Sequence, residues 1–286
     1  MNYRHHFHAG NFADVFKHAL LVQLVRGLQR KEKGFLYLDT HAGRGRYDLA
    51  AAAQGDTLAR RPEWPEGVGR LWMRTDLAPA LREYVAQVRA FDAADGAAAP
   101  RGYPGSPRLV RALARPQDRL ALCEQHPDEF LALAAEFRAE PRVAVHERDG
   151  YGALRALLPP PERRALVLID PPFEAQDEFA RIVAALAEGL RRLPAGVFAV
   201  WYPLTERARV DAFFAELSRL ALPSTLALEL TVAGESSALK MKGCGLAVLN
   251  PPWQFEQTAA PLLAQLADVL AQEPGAAASA RWLVPE

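Results

Sequence analysis

The chain has 286 residues, 34 Lys and Arg against 34 Asp and Glu, and 50% hydrophobic residues. That length carries one main domain with a full core plus a subdomain, and the balanced charge excludes a protein that coats nucleic acid by charge alone. Two distant cysteines, Cys123 and Cys244, support neither a disulfide framework nor a cysteine zinc site, and no apolar run reaches the roughly 18 residues of a membrane span.

The opening MNYRHHFHAG is polar and unlike a signal peptide, so a cytosolic protein is expected. It carries Tyr3, Arg4, His5, His6 and His8; nothing nearby completes a recognisable metal site, and no metal is expected. A helix capped by Asn11 follows, with Lys17 and His18 inside it. The strand Phe35–Leu38 then runs into the loop DTHAGRGRY. This loop is not the GxGxxG fingerprint. Its small residues Ala42, Gly43 and Gly45 let backbone approach a ligand, or simply make a tight turn, and Asp39 and His41 bring polar groups to the same strand end.

Residues 48–101 break the alternation of strand and helix and are assigned as an inserted helical subdomain, clearest over Pro79–Phe91. Its Trp64 and Trp72 could meet RNA or form its own small core. The catalytic domain is therefore expected over 1–47 and 102–286. The alternation resumes with a turn at Tyr103–Pro107, a helix to about Leu113 and a strand ending at Glu124, where nucleoside-binding α/β folds hold ribose hydroxyls. A further strand ends at Asp149-Gly150, either an acceptor for an adenine amine or a helix cap.

LVLIDPPF follows, residues 166–173. Four aliphatic residues predict a strand buried on both faces, and Pro171 and Pro172, lacking amide hydrogens, must end it as a stiff loop. The loop fixes a carboxylate (Asp170), a carbonyl (Pro171) and an aromatic face (Phe173) at a strand's carboxyl end, a set suited to a planar base with an exocyclic amine. Asp-Pro-Pro-aromatic resembles the catalytic motif of amino-methyltransferases. A near copy, Asn250-Pro251-Pro252-Trp253, leaves open which of the two does chemistry. The remaining segments are helices over 176–193, 206–220 and 257–271 and strands GVFAVWYPL, TLALELTV and GLAVLNPPW, the last two joined without a helix and so antiparallel. A Gly/Ala-rich tail ending ARWLVPE closes the chain. A local basic patch could come from Arg60, Arg61, Arg163, Arg164, Arg191, Arg192, Lys240 and Lys242.

In order, YRHHFHAGNFADVFKH, LYLDTHAGRGRY, YPGSP, LCEQHP, RDGYGAL, LIDPPF, WYPL, NPPW and RWLVPE resemble the ribosomal RNA large-subunit methyltransferase J family across essentially the whole chain. The resemblance implies a Rossmann-like class I S-adenosylmethionine-dependent methyltransferase fold, an α/β sheet with a final antiparallel strand and an inserted helical subdomain. It implies N6-methylation of adenine 2030 in protein-poor or partly assembled 23S ribosomal RNA by a cytoplasmic monomer. S-adenosylmethionine would contact Lys17, His41, Ser106, Glu124, Asp149, Gly150 and Asp170. Tyr3 and Phe173 would meet the substrate, with Asp170, Pro171 and Phe173 catalytic. Phe173 departs from the broader motif, which usually has Tyr; stacking needs only the ring face. Family order puts NPPW away from the methyl donor. The rivals are a DNA adenine methyltransferase, a nicotinamide-dependent Rossmann oxidoreductase and a non-catalytic RNA-binding protein.

Overall fold

Strand β6, Ala165–Ile169, is buried at every position because helices cover both of its faces. Alternation then divides its side chains: Leu166 and Leu168 enter one core cluster, Val167 and Ile169 the other. The whole sheet obeys this division. The computed structural model describes residues 7–50, 61–92 and 97–286.

Ten strands are present among those residues, eight of them in one sheet. These eight are β1 (Leu36–Asp39), β4 (Arg119–Glu124), β5 (Val143–Glu147), β6, β7 (Val197–Pro203), β8 (Thr225–Thr231), β9 (Gly243–Leu249) and β10 (Ala277–Val284). The order is β10-β8-β9-β7-β6-β1-β4-β5. Pairs between β5 and β7 are parallel; β9 lies antiparallel between β7 and β8. The chain runs outward from β1 to β4 and β5, then restarts at β6 on β1's other side, which creates a switch point between the carboxyl ends of β1 and β6.

The antiparallel β8–β9 pair is as expected. The tail brings a correction: it forms β10, a second antiparallel strand pairing along β8 at the sheet's edge. Its mixed exposure hides the alternation that marks a half-buried strand.

One face carries α1 (Phe12–Gln29), α4 (Ser106–Leu113) and α9 (Phe255–Val269); the other carries α6 (Gly150–Leu157), α7 (Glu178–Arg192) and α8 (Arg207–Leu217). Helix α1 starts at Asn11, whose side chain accepts from the Asp14 amide at 2.9 Å. It is buried almost all round, an unusual setting for Asp14, Lys17 and His18. The segment from residue 48 to 101 leaves and returns through a two-stranded ribbon, β2 (Arg46–Asp48) with β3 (Gly102–Pro104). Its helices α2 (Val68–Trp72) and α3 (Pro79–Asp92) join the same apolar cluster as α1 and α9, with Trp72 buried and Trp64 packed against it. Helix α5 (Pro127–Glu136) follows β4. No helix among the described residues is long and apolar enough to cross a membrane.

Candidate active site

The strand β6 stops at Ile169, and the Pro-Pro corner carries Asp170 out of the sheet at the switch point. Across from it, α1 presents Lys17. Its Nζ lies 2.5 Å from Asp170 Oδ2 and 2.9 Å from Asp14 Oδ1, three residues earlier on the same helix. Lys17 and Asp14 are buried and Asp170 is 17% exposed, so this carboxylate–ammonium–carboxylate chain is sealed except at Asp170. Burial alone would push the Lys17 pKa down, but the two carboxylates overcome it and hold the pKa well above the usual lysine value. Asp14 also accepts from the Gly10 amide at 3.0 Å through its other oxygen. Asp14 was absent from the sequence-derived set; an acidic and a basic residue at i and i+3 inside an apolar run would have flagged it.

Beneath the corner, Asp39 at the end of β1 is fully buried. It accepts from Tyr37 Oη at 2.7 Å, Ser106 Oγ at 2.6 Å and the His41 amide at 3.3 Å. Burial outweighs these bonds and raises its pKa to about 6. His41 shares a 2.8 Å contact between Nδ1 and Thr40 Oγ1 and meets the Tyr151 ring edge-on at 5.1 Å; burial depresses its pKa to about 4.

Glu124, ending β4, accepts from the Gly43 amide at 2.8 Å with one oxygen and from the His126 amide at 2.7 Å with the other. This locks the carboxylate against the glycine loop while lone pairs remain for hydroxyl donors. Gly43 and Gly45 have φ of 59° and 76°. A Cβ on Gly150 would lie 1.9 Å from the Thr40 carbonyl, so only glycine lets α6 begin this close to β1. Asp149 caps that helix, accepting from the Gly152 amide at 2.8 Å, and faces Arg181 at 3.5 Å.

Lys17, His41, Ser106, Glu124, Asp149, Gly150 and Asp170 therefore all line the carboxyl ends of β1, β4, β5 and β6 or the helices beside them. Pro171 is buried. Phe173 adopts φ 51°, rare for a side-chain-bearing residue, which directs its ring to Phe179 (5.1 Å) and Trp201 (5.7 Å), both edge-on. Tyr3 lies outside the described residues, as do Arg4, His5, His6 and Arg60. Of the basic residues named from sequence, Arg163, Arg164, Arg191 and Arg192 precede β6 and β7 and lie at the opposite end of the sheet; Lys240 and Lys242 follow β8 on the site's end. Both cysteines are free and buried, and burial lifts the Cys123 thiol to about 12.

The near copy is settled by direction. Because β9 runs opposite to β6, Asn250–Trp253 emerges at the amino end of the parallel strands, where Asn250 Nδ2 donates to the Pro194 and Gly196 carbonyls at 2.8 Å each.

The family described as "Ribosomal RNA large subunit methyltransferase D, RlmJ" matches residues 32–284. The chain belongs to this family. It is 39% identical over 286 residues to Ribosomal RNA large subunit methyltransferase J of Escherichia coli, covering 100% of both chains. The same identity and coverage hold for the protein of that name from Haemophilus influenzae. Protein LPL1258 of Legionella pneumophila, a crystal structure, is 34% identical with a TM-score of 0.84 over 96% of this chain and 97% of that one. Family membership makes the chain a methyltransferase and favours that reading over a nicotinamide-dependent oxidoreductase or a non-catalytic binder.

Proposed function

We propose that this protein transfers a methyl group from S-adenosylmethionine to N6 of adenine 2030 in 23S ribosomal RNA. The observation that carries the reading is the Asp170 carboxylate, held by buried Lys17 in a proline-stiffened corner at the sheet's switch point.

The residues present fit the cofactor. Glu124 suits ribose hydroxyls, the Gly43 and Gly150 backbone makes a close cradle, and Asp149 with His41 and Ser106 completes the rim. When bound, S-adenosylmethionine supplies an electrophilic methyl on a sulfonium. Everything else falls to the chain. Lys17 occupies Asp170 Oδ2, which leaves Oδ1 to accept one amine hydrogen while the Pro171 carbonyl accepts the other. Held so, the amine nitrogen pyramidalises and aims its lone pair along the line of displacement. Positive charge developing on that nitrogen faces Asp170, which takes the released proton directly or through water. Phe173 offers a ring to the base, and Tyr3 is the N-terminal residue assigned to the substrate; Phe in place of Tyr at 173 costs only a hydroxyl's hydrogen bond. The base must leave its stack, so protein-poor or partly assembled RNA in the cytoplasm is the substrate, met by a monomer.

Asp170→Ala is expected to lower tritium transfer from labelled cofactor to 23S RNA by about a thousandfold, with unchanged circular dichroism. Wild-type rates in that variant would sink the assignment. Transfer to DNA at the RNA rate would instead favour a DNA substrate, and mass mapping of 23S RNA from a deletion strain tests position 2030.

A further inference from the structure

The second Pro-Pro corner has no part in that chemistry, yet it is built with care. Among the described residues, four non-glycine positions hold left-handed φ. One is Phe173 in the catalytic corner; the others are Arg163 (55°), Asn250 (52°) and Gln254 (59°), all at the amino end of the sheet. Asn250 and Gln254 bracket Pro251-Pro252-Trp253. Asn250 is tied by its two carbonyl contacts, Arg30 Nη1 donates to the Trp253 carbonyl at 2.6 Å, and Pro252 sits so close to α1 that only Gly27 fits beneath it. All this rigidity presents one group outward: the Trp253 side chain, 69% exposed.

Around Trp253 the charge is positive. Arg30, Lys31 and Lys33 leave the end of α1, and Arg164 donates to the Leu28 and Lys33 carbonyls with Arg163 beside it. Among the described residues none of these five cations is ion-paired, whereas three carboxylates of this end are matched: Asp118 to Arg115, Glu162 to Arg119, and Glu188 to Arg191 and Arg192. Glu32 stands between the two lysines, and Glu256, three residues past Trp253, accepts from Trp282 Nε1 at 2.9 Å. A rigid, exposed indole beside a cluster of unpaired cations at the end of α1 is the chemistry that stacks an unpaired base and tracks its phosphates.

We infer that Trp253 with Arg30, Lys31, Lys33, Arg163 and Arg164 is a second RNA-docking surface, engaging a part of the substrate RNA remote from the target adenine. It rests on the methyltransferase reading above. The seven residues of β9 separate the two Pro-Pro corners by roughly 20 Å. A short stem-loop seated in the pocket does not reach the second surface; a longer fragment does.

The test compares a stem-loop carrying the target adenine with a 23S fragment that adds the neighbouring helices. Trp253→Ala is expected to raise KM for the long fragment roughly tenfold and leave its kcat unchanged. Both constants stay at wild-type values for the stem-loop. Lys31→Glu with Lys33→Glu does the same and flattens the salt dependence for the long fragment by about one in slope per lysine. Thermal unfolding at the wild-type midpoint shows that these exposed changes leave the fold intact. The proposal falls if KM for the long fragment does not move, or if KM for both RNAs rises equally. It falls likewise if the variants change self-association or protein binding instead. Failure of the wild-type protein to methylate either RNA would strike the methyltransferase reading instead.

Discussion

Asp170–Phe173 and Asn250–Trp253 differ by two letters in four and end strands of the same sheet, yet one faces a cradle of polar groups and the other faces open solvent. The first residue sets what each corner can do. Asp170 accepts, from Lys17; Asn250 donates, to two carbonyls. The strand's direction sets where each corner opens. Parallel β6 delivers its corner to the switch point, and antiparallel β9 delivers its own to the far end. Four residues identify a rigid corner, and the topology around them assigns its work.

Exchanging the first residues tests that contrast most severely. Asp170→Asn should cost about a thousandfold in kcat, because an amide neither matches Lys17's charge nor takes the proton. Asn250→Asp should leave kcat untouched and lower unfolding free energy by about 1–3 kcal/mol, since a carboxylate would face the Pro194 and Gly196 carbonyls without a hydrogen to share. An activity loss in the second variant would erase the distinction.

Titration marks the catalytic end as well. With its folded pKa near 4, His41 contributes stability that is fully present above its ordinary 6.5 and is lost as pH falls through 4, up to about 3 kcal/mol. Asp39 works in reverse: with its folded pKa near 6, stability is greatest below its ordinary 3.8 and is lost as pH rises through 6. The two oppose each other between pH 4 and 6. His41→Asn therefore gains melting temperature relative to wild type as pH falls from 7 to 4, a trend read from thermal unfolding at several pH values. A parallel offset at every pH would refute it.

Asp14→Asn sharpens the account of Asp170's support. Asp14 raises the Lys17 pKa, so its loss brings deprotonation of Lys17 to lower pH. The expected result is a kcat about tenfold lower, with the alkaline limb of the pH profile displaced downward and restored in part by Asp14→Glu. A lower kcat with an unmoved profile would make Asp14 merely structural. The smallest effect belongs to the far corner: Gly27→Ala places a Cβ 2.5 Å from the Pro252 ring, and overpacking should exceed the gain in helix propensity by about 1 kcal/mol in urea unfolding.

The sequence displayed the parallel core well, because strands buried on both faces read as continuous apolar runs and each ends at a polar residue: Asp39, Glu124 and Asp170 were visible this way, while Asp149 follows the part-exposed edge strand β5 and was marked by the glycine after it. The tail strand β10 was not, since an edge strand of Ala, Ser and Arg lacks alternation and owes its form to β8. The ribbon of β2 and β3 was hidden for the same reason: three-residue strands carry no period, and pairing across more than fifty residues leaves no local trace. Lys17 was legible only through resemblance. Its partner Asp14 was overlooked because an acidic residue in the first turn of a helix ordinarily belongs there for the dipole alone.

The position of β9 sets an order in which the sheet can be completed. Strand β8 is synthesised before it but is not a ladder neighbour of β7; it joins the sheet only once β9 lies between them, and α9, made later still, lies against α1, the first helix of the fold. The antiparallel half of the sheet and the wall that α1 and α9 share therefore close together, after β9 and α9 have been made, and not strand by strand.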